Sequence, residues 1–129
     1  MATKDKKSEY LQSEEGKRNA ERFIKALKEG RLVCSVKSVS SSGMSRVISF
    51  CEVAKIGYPK KDRYALYQFN WFFKNLGWTY VNSRDAIRVG GCGMDMIFHV
   101  LYSVCCTLEY YGFKMPKDWS SMADNYMKI

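Results

Sequence analysis

Apolar residues recur along this chain in two rhythms. Ala20, Phe23, Ile24 and Leu27 follow one another at helical spacing, Ser13 stands where an N-cap belongs with Glu14 and Glu15 behind it, and Gly30 supplies a stop. The pattern predicts an amphipathic helix over residues 13–30. Leu32 to Val39 and Arg46 to Ala54 alternate partially and are rich in Val, Ile, Phe and Cys, with the turn-forming run Ser40 to Ser45 between them. This predicts a β-hairpin.

Residues 57–63 hold Pro59 and three basic residues and read as a loop. Tyr64 to Leu76 then predicts an aromatic helix, with Leu66, Phe69, Phe73 and Leu76 on one face and Gly77 at its end. Trp78 to Val81 reads as a short strand paired with or continued by Ala86 to Val89. Asp95 to Tyr111 predicts a last helix, ended by Gly112, whose apolar residues occupy nearly all directions and so imply burial on most sides. The order α-β-β-α-β-(β)-α is that of an α+β protein: a single compact domain with a small antiparallel sheet and about three helices. Its expected organisation is a flexible charged N-terminus over 1–12, the domain over 13–113, and a C-terminal tail or short helix over 114–129.

With 129 residues, 47% of them apolar, the chain is long enough to bury a core. The sequence carries neither an apolar run of membrane-spanning length nor a secretory signal, so the expected compartment is the cytoplasm. Five cysteines in no CxxC spacing then read as reduced thiols, and no structural metal is expected.

The formal charge of +8 is uneven. Residues 31–63 carry 7 basic and 2 acidic groups, against 8 and 6 before them and 6 and 5 after. Such an excess favours anionic partners through steering and charge-assisted hydrogen bonds, although a solvated basic surface explains it equally well. Lys55, Lys60, Lys61 and Arg63 beside Tyr58 and Tyr64 would suffice for weak nucleic-acid binding, but no base-reading motif accompanies them.

Two loops carry the chemistry. In the first, Ser41, Ser42, Gly43, Met44, Ser45 and Arg46 crowd hydroxyls and turn amides around a glycine and close with a guanidinium whose planar fork matches two oxygens of a phosphate. As an alternative it is an ordinary polar hairpin turn. In the second, Arg88, Gly90, Gly91, Cys92, Gly93, Met94 and Asp95 lead from a strand into the last helix. Three glycines in four residues permit close backbone approach, and the helix start offers free N–H groups to an anion. Asp95 competes for those donors as an N-cap, which leaves a self-capped structural turn as the other reading.

Asp95, His99, Ser103 and Thr107 recur every four residues as a polar stripe on the last helix. A polar seam in a buried helix must find partners: a ligand cavity, a second copy of the chain, or neighbouring strands and water. His99 is the sole histidine. Cys105 and Cys106, beside this seam, read as core residues.

The pairing of VSSSGMSRVISF (39–50) with IRVGGCGMDMIFHVLYSV (87–104) resembles a family of small tailed-bacteriophage proteins, in which an SGMSR loop and a GCGMDM-x-FH loop recur together. The resemblance covers about 30 residues. It implies phage origin, action inside an infected bacterial host cell and a paired-motif site, but no mechanism. Arg88-x-x-Gly91-x-Gly93 is also similar to the pyrophosphate loop of acetyl-CoA-dependent N-acetyltransferases. Those enzymes need a further strand after the helix, whereas the 17 residues after Gly112 contain a proline and no alternating run.

The combined reading is a phage accessory protein that acts without catalytic residues, metal or cofactor. It would bind a phosphorylated small molecule or nucleotide between the two loops, with Arg46 and Arg88 neutralising phosphate and His99 or Met94 lining the site, and would act against host defence by sequestering a signal. The alternatives are an inhibitor that binds a host defence protein directly, a nucleic-acid-binding protein, and the acetyltransferase. In the combined reading the last helix, with its polar seam, could mediate self-association.

Overall fold

The computed structural model describes residues 6–38, 45–53, 65–81, 86–90, 95–124 and 127–128. Within the N-terminal segment expected to be flexible, Lys6–Gln12 forms a helix, α1, because Leu11 has a core to enter and is buried there; residues 1–5 of that segment lie outside the described residues. Ser13 then caps α2 (Glu14–Lys28) as its sequence position predicts, its Oγ accepting from the Gly16 amide at 3.0 Å. Gly30 ends this region with a φ of +67°, which glycine adopts without steric cost.

The predicted hairpin is present as β1 (Leu32–Ser38) and β2 (Ser45–Val53), antiparallel, with Ser38 opposite Arg46 and Leu32 opposite Glu52. The aromatic stretch after it divides into two elements. Ala65–Gln68 forms a strand, β3, and only Asn70–Asn75 is helical, α3. The reason lies on β2. β4 (Thr79–Val81) and β5 (Ala86–Gly90) pair with each other, and β5 covers β2 only from Ser45 to Ile48. The rest of that edge would expose unpaired backbone groups beside the core, and β3 fills it from Cys51 to Val53.

α4 (Asp95–Tyr110) and α5 (Trp119–Asp124) complete the helices. The tail then returns as β6 (Met127–Lys128), parallel to β1, so the strand order is β4-β5-β2-β1-β6 with β3 also on β2. The tail is part of the domain, with Ala123 fully buried. The result is one α+β domain, with five helices among the described residues where about three were expected.

Leu32, Cys34, Ile48, Phe50 and Ile87 share a face of the sheet and one core cluster with Leu11, Phe23, Phe72, Leu108 and Ala123 from the five helices. That face carries the helical layer. At its centre Phe23 meets Phe69 and Phe73 edge-on, each with ring centroids 5.5 Å apart. α4 lies at the outside of this layer. Ile97, Val100, Leu101, Val104, Cys105 and Leu108 face inward, whereas His99, Tyr102 and Ser103 are exposed. Burial on most sides, expected from composition, is therefore replaced by burial on one side. A helix covering an open sheet has neighbours only on that sheet and beside it.

Candidate functional site

Both sequence motifs reach the same end of the sheet. Ser45 pairs with Gly90 and Arg46 with Val89, so the strand that leaves the serine-rich loop and the strand that enters the glycine-rich loop are direct neighbours. Ser38 arrives at that end opposite Arg46, and α4 departs from it at Asp95. The candidate residues Ser41, Ser42, Gly43, Met44, Gly91, Cys92, Gly93 and Met94 lie outside the described residues. Of Ser45, Arg46, Gly90 and Asp95 the backbone alone is described.

The register separates the two arginine positions. Arg46 stands opposite Val89 and Arg88 opposite Val47, one rung apart, and successive positions of a strand alternate between faces. The Arg46 position shares its parity with Ile48 and Phe50, and Arg88, which is exposed, shares its parity with Val47. His99 is exposed one turn into α4. The polar seam is the solvent side of that helix, where Thr107 Oγ1 donates to the Ser103 carbonyl at 2.9 Å. That bond returns the Thr107 hydroxyl to its own helix.

A second constellation was not legible in the sequence. Glu52 is 5% exposed and accepts from Arg22 Nε at 2.7 Å and from Arg31 Nη1 at 2.6 Å. Arg31 also donates to Glu29 Oε1 at 2.7 Å and to the Val53 carbonyl at 2.8 Å. The Arg22 guanidinium lies 4.5 Å from the centre of the Tyr67 ring, whose hydroxyl donates to Asn19 Oδ1 at 2.6 Å. Asn19 Nδ2 in turn donates to the Tyr10 hydroxyl at 2.9 Å. This chain of contacts ties α1, α2, β2 and β3 together.

Burial pushes the Glu52 carboxyl up, but the hydrogen bonds and charges of Arg22 and Arg31 outweigh it and hold the group below the usual carboxylate range. Burial raises the Tyr10 and Tyr67 hydroxyls. Perturbed groups of this kind also mark active sites. Here both carboxylate oxygens already hold guanidinium donors, so Glu52 has the arrangement of a structural tie rather than of an open proton acceptor.

A cleft of about 500 Å³ runs along the outer side of α2 and is lined by Ile24, Lys25, Lys28, Glu29, Phe113 and Lys114. A neighbouring one of about 330 Å³ shares Glu21 and Phe113 and reaches Ser8, Gln12 and Tyr111. Glu29 is engaged by Arg31, and Lys25, Lys28 and Lys114, with the carboxylate of Glu21, surround the apolar Ile24 and Phe113. In the sequence these lysines look like an ordinary solvated helix face. Only the return of the chain after Gly112 makes a cleft of them.

Among the described residues the cysteines are free, and no cluster of His, Cys, Asp and Glu could hold a metal ion. Burial pushes the Cys105 thiol up to about 12, which keeps it protonated and unreactive. No helix of the described residues is long and apolar enough to cross a membrane. No known protein family matches the chain, and neither a curated protein nor a solved structure is similar enough to count as a match.

Proposed function

We propose that this protein is a non-enzymatic binder of a phosphorylated small molecule, with a nucleotide as the ligand class, held at the end of the sheet where the two motifs meet. The observation that carries this reading is the pairing of Ser45 with Gly90. It gives two loops rich in hydroxyls, glycine amides and arginine a common origin, beside the start of α4. The opposite parity of Arg46 and Arg88 supports an anion approached from both sides of the sheet's end, not a clamp of two guanidiniums on one face. In the phage setting that the motifs resemble, sequestering a host defence nucleotide needs no chemistry beyond this binding.

Thermal unfolding with a panel of mono-, di- and cyclic nucleotides tests the reading. A ligand at a hundred times its Kd adds about 2.7 kcal/mol to stability. In Arg88→Ala, an exposed position where substitution leaves folding unchanged within about 0.5 kcal/mol, the ligand-dependent shift should shrink by roughly 1.5–3 kcal/mol. A panel without any shift overturns the proposal. A shift that survives in Arg88→Ala but vanishes when Lys25, Lys28 and Lys114 are changed together to Ala moves the site to the cleft on α2.

A further inference from the structure

The wider cleft on α2 has walls of an unusual composition. Glu21, Ile24, Lys25 and Lys28 follow at helical spacing along the outer side of α2 and form one wall. The other wall is the turn after α4, which backbone bonds hold in place. The Gly112 amide donates to the Glu109 carbonyl at 3.1 Å and the Phe113 amide to the Leu108 carbonyl at 3.0 Å, with Gly112 at a φ of +94°. This is the double closure that glycine permits at a helix end, and it sets Phe113 and Lys114 against α2. Ile24 and Phe113 are half-buried, packed on the core from outside, and form the apolar floor. Every other side chain lining the cleft is charged, and none is a hydroxyl or an amide. Glu29 is held by Arg31, whereas Lys25, Lys28 and Lys114 are paired with no carboxylate of the described residues. Three ammonium groups thus stand around the floor with the carboxylate of Glu21 against them.

We propose that this cleft binds an amphipathic anion, an acid whose alkyl or aryl body lies on Ile24 and Phe113 and whose one anionic head is held by Lys25, Lys28 and Lys114. The walls select this chemistry. A volume of about 500 Å³ lies in the range of small-molecule sites. The lysine stems carry the apolar wall up to the head, where their ammonium groups give charge-assisted hydrogen bonds to a carboxylate or a similar anion. A cation is repelled by the same groups, and a neutral hydrocarbon leaves them unused. A nucleotide, a sugar phosphate or a peptide brings hydroxyls, ring nitrogens or amides, and the cleft has no hydroxyl or amide side chain to meet them once they leave water. An acid with a hydrocarbon body has no such groups to strand. Neutral polar lining begins only in the adjoining cleft, at Ser8, Gln12 and Tyr111, beyond Glu21 and Phe113. None of the binding residues belongs to the two motifs, so this site does not depend on the nucleotide reading.

The test is an amide NMR titration of the isotope-labelled full chain with naphthoate and with decanoate, the aryl and acyl forms of this chemistry. At least one of them should move the amides of Ile24, Lys25, Lys28, Phe113 and Lys114 together and saturate with a Kd below about 1 mM, and the tighter of the two names the body. Naphthalenemethanol, which keeps the ring and lacks the charge, should bind at least about tenfold more weakly than naphthoate. The combined variant Lys25→Gln, Lys28→Gln, Lys114→Gln changes exposed positions only, so it should keep the parent thermal midpoint while its affinity for the acid falls at least about tenfold. AMP should leave these amides where they are. Amides unmoved by about 2 mM of both acids overturn the proposal. Equal binding of the alcohol, or an affinity untouched in the combined variant, overturns it too. Movement of these amides by AMP overturns it as well, and puts the nucleotide site in this cleft.

Discussion

The backbone amide of Phe50 donates to Oδ1 of Asn70 at 3.0 Å, and both residues are completely buried. Phe50 lies in the interval of β2 between the rungs taken by β5 and those taken by β3. Its carbonyl accepts from the Phe69 amide at 2.8 Å, and the Asn70 side chain replaces the ladder bond that the chain abandons on turning into α3. One side chain thus closes the sheet and starts the helix. Asn70→Leu keeps the branched shape but strands a buried N–H, which costs about 1–3 kcal/mol. Chemical denaturation should register that loss with an unchanged denaturant slope, and an equal or higher midpoint would show that the bond does not matter.

Glu52 binds stability to acid pH. Its folded-state pKa lies below the unfolded value, so the stabilisation is fully present above the usual carboxylate range and is lost as pH falls through the lower folded value. Glu52→Gln leaves Arg31 in a half-buried place with a neutral partner. Removing one member of a fully buried pair costs about 3–5 kcal/mol, and the 41% exposure of the Arg22 side chain brings the expected loss at pH 7 to roughly 2–3 kcal/mol. Urea midpoints at pH 7, 5 and 3 should converge between parent and variant as the pH drops. Parallel curves would remove Glu52 from the acid transition.

Alkaline pH acts on the other end of the same network. Tyr10 and Tyr67 have raised folded-state values, so their contribution is complete below about pH 10 and is lost as pH rises through the folded values. Tyr67→Phe should lower stability by about 1 kcal/mol at pH 7 through the lost bond to Asn19 and should flatten the alkaline limb. A variant whose alkaline limb matches the parent would exclude Tyr67.

Gly16 separates local preference from packing. Alanine in place of a helical glycine ordinarily stabilises by about 0.5–1 kcal/mol. Here a Cβ would stand 1.8 Å from the Tyr10 carbonyl oxygen, so α1 and α2 must part. Gly16→Ala should therefore destabilise by about 2 kcal/mol or more and accelerate amide exchange in Lys6–Gln12. A stabilised variant would show that α1 is not docked on α2 in solution.

Cysteine labelling distinguishes neighbours. Cys105 is buried with its thiol pushed up to about 12, and Cys106 is half-buried on the outer side of α4. Iodoacetamide at pH 8 should alkylate Cys106 and leave Cys105 intact until the protein unfolds, as peptide mass spectrometry will show. Equal labelling of the two in the native protein would reverse the orientation of α4.

Periodicity and capping determined much of this protein by themselves. Ser13, Glu14 and Gly30 delimit α2, the alternating stretches around residues 39–44 become a hairpin, and Gly112 ends the last helix, because caps, alternation and positive φ are properties of a few adjacent residues. The two motifs were visible as strings of serine, glycine and arginine. That Ser45 meets Gly90, and that Arg46 and Arg88 take positions of opposite parity, is a matter of register between strands about forty residues apart, which no local rule contains. Tertiary structure also overruled local preference where an edge needed covering. Tyr64 to Leu76 has helical spacing, yet Ala65–Gln68 becomes β3 because unpaired groups on β2 cost more than a shortened helix gives up. Leu11 turns a charged start into α1, and α4 is apolar nearly all round but buried on one side only. In each of these cases the deciding term is contact with residues distant in the chain, and that contact exists only once the sheet has formed.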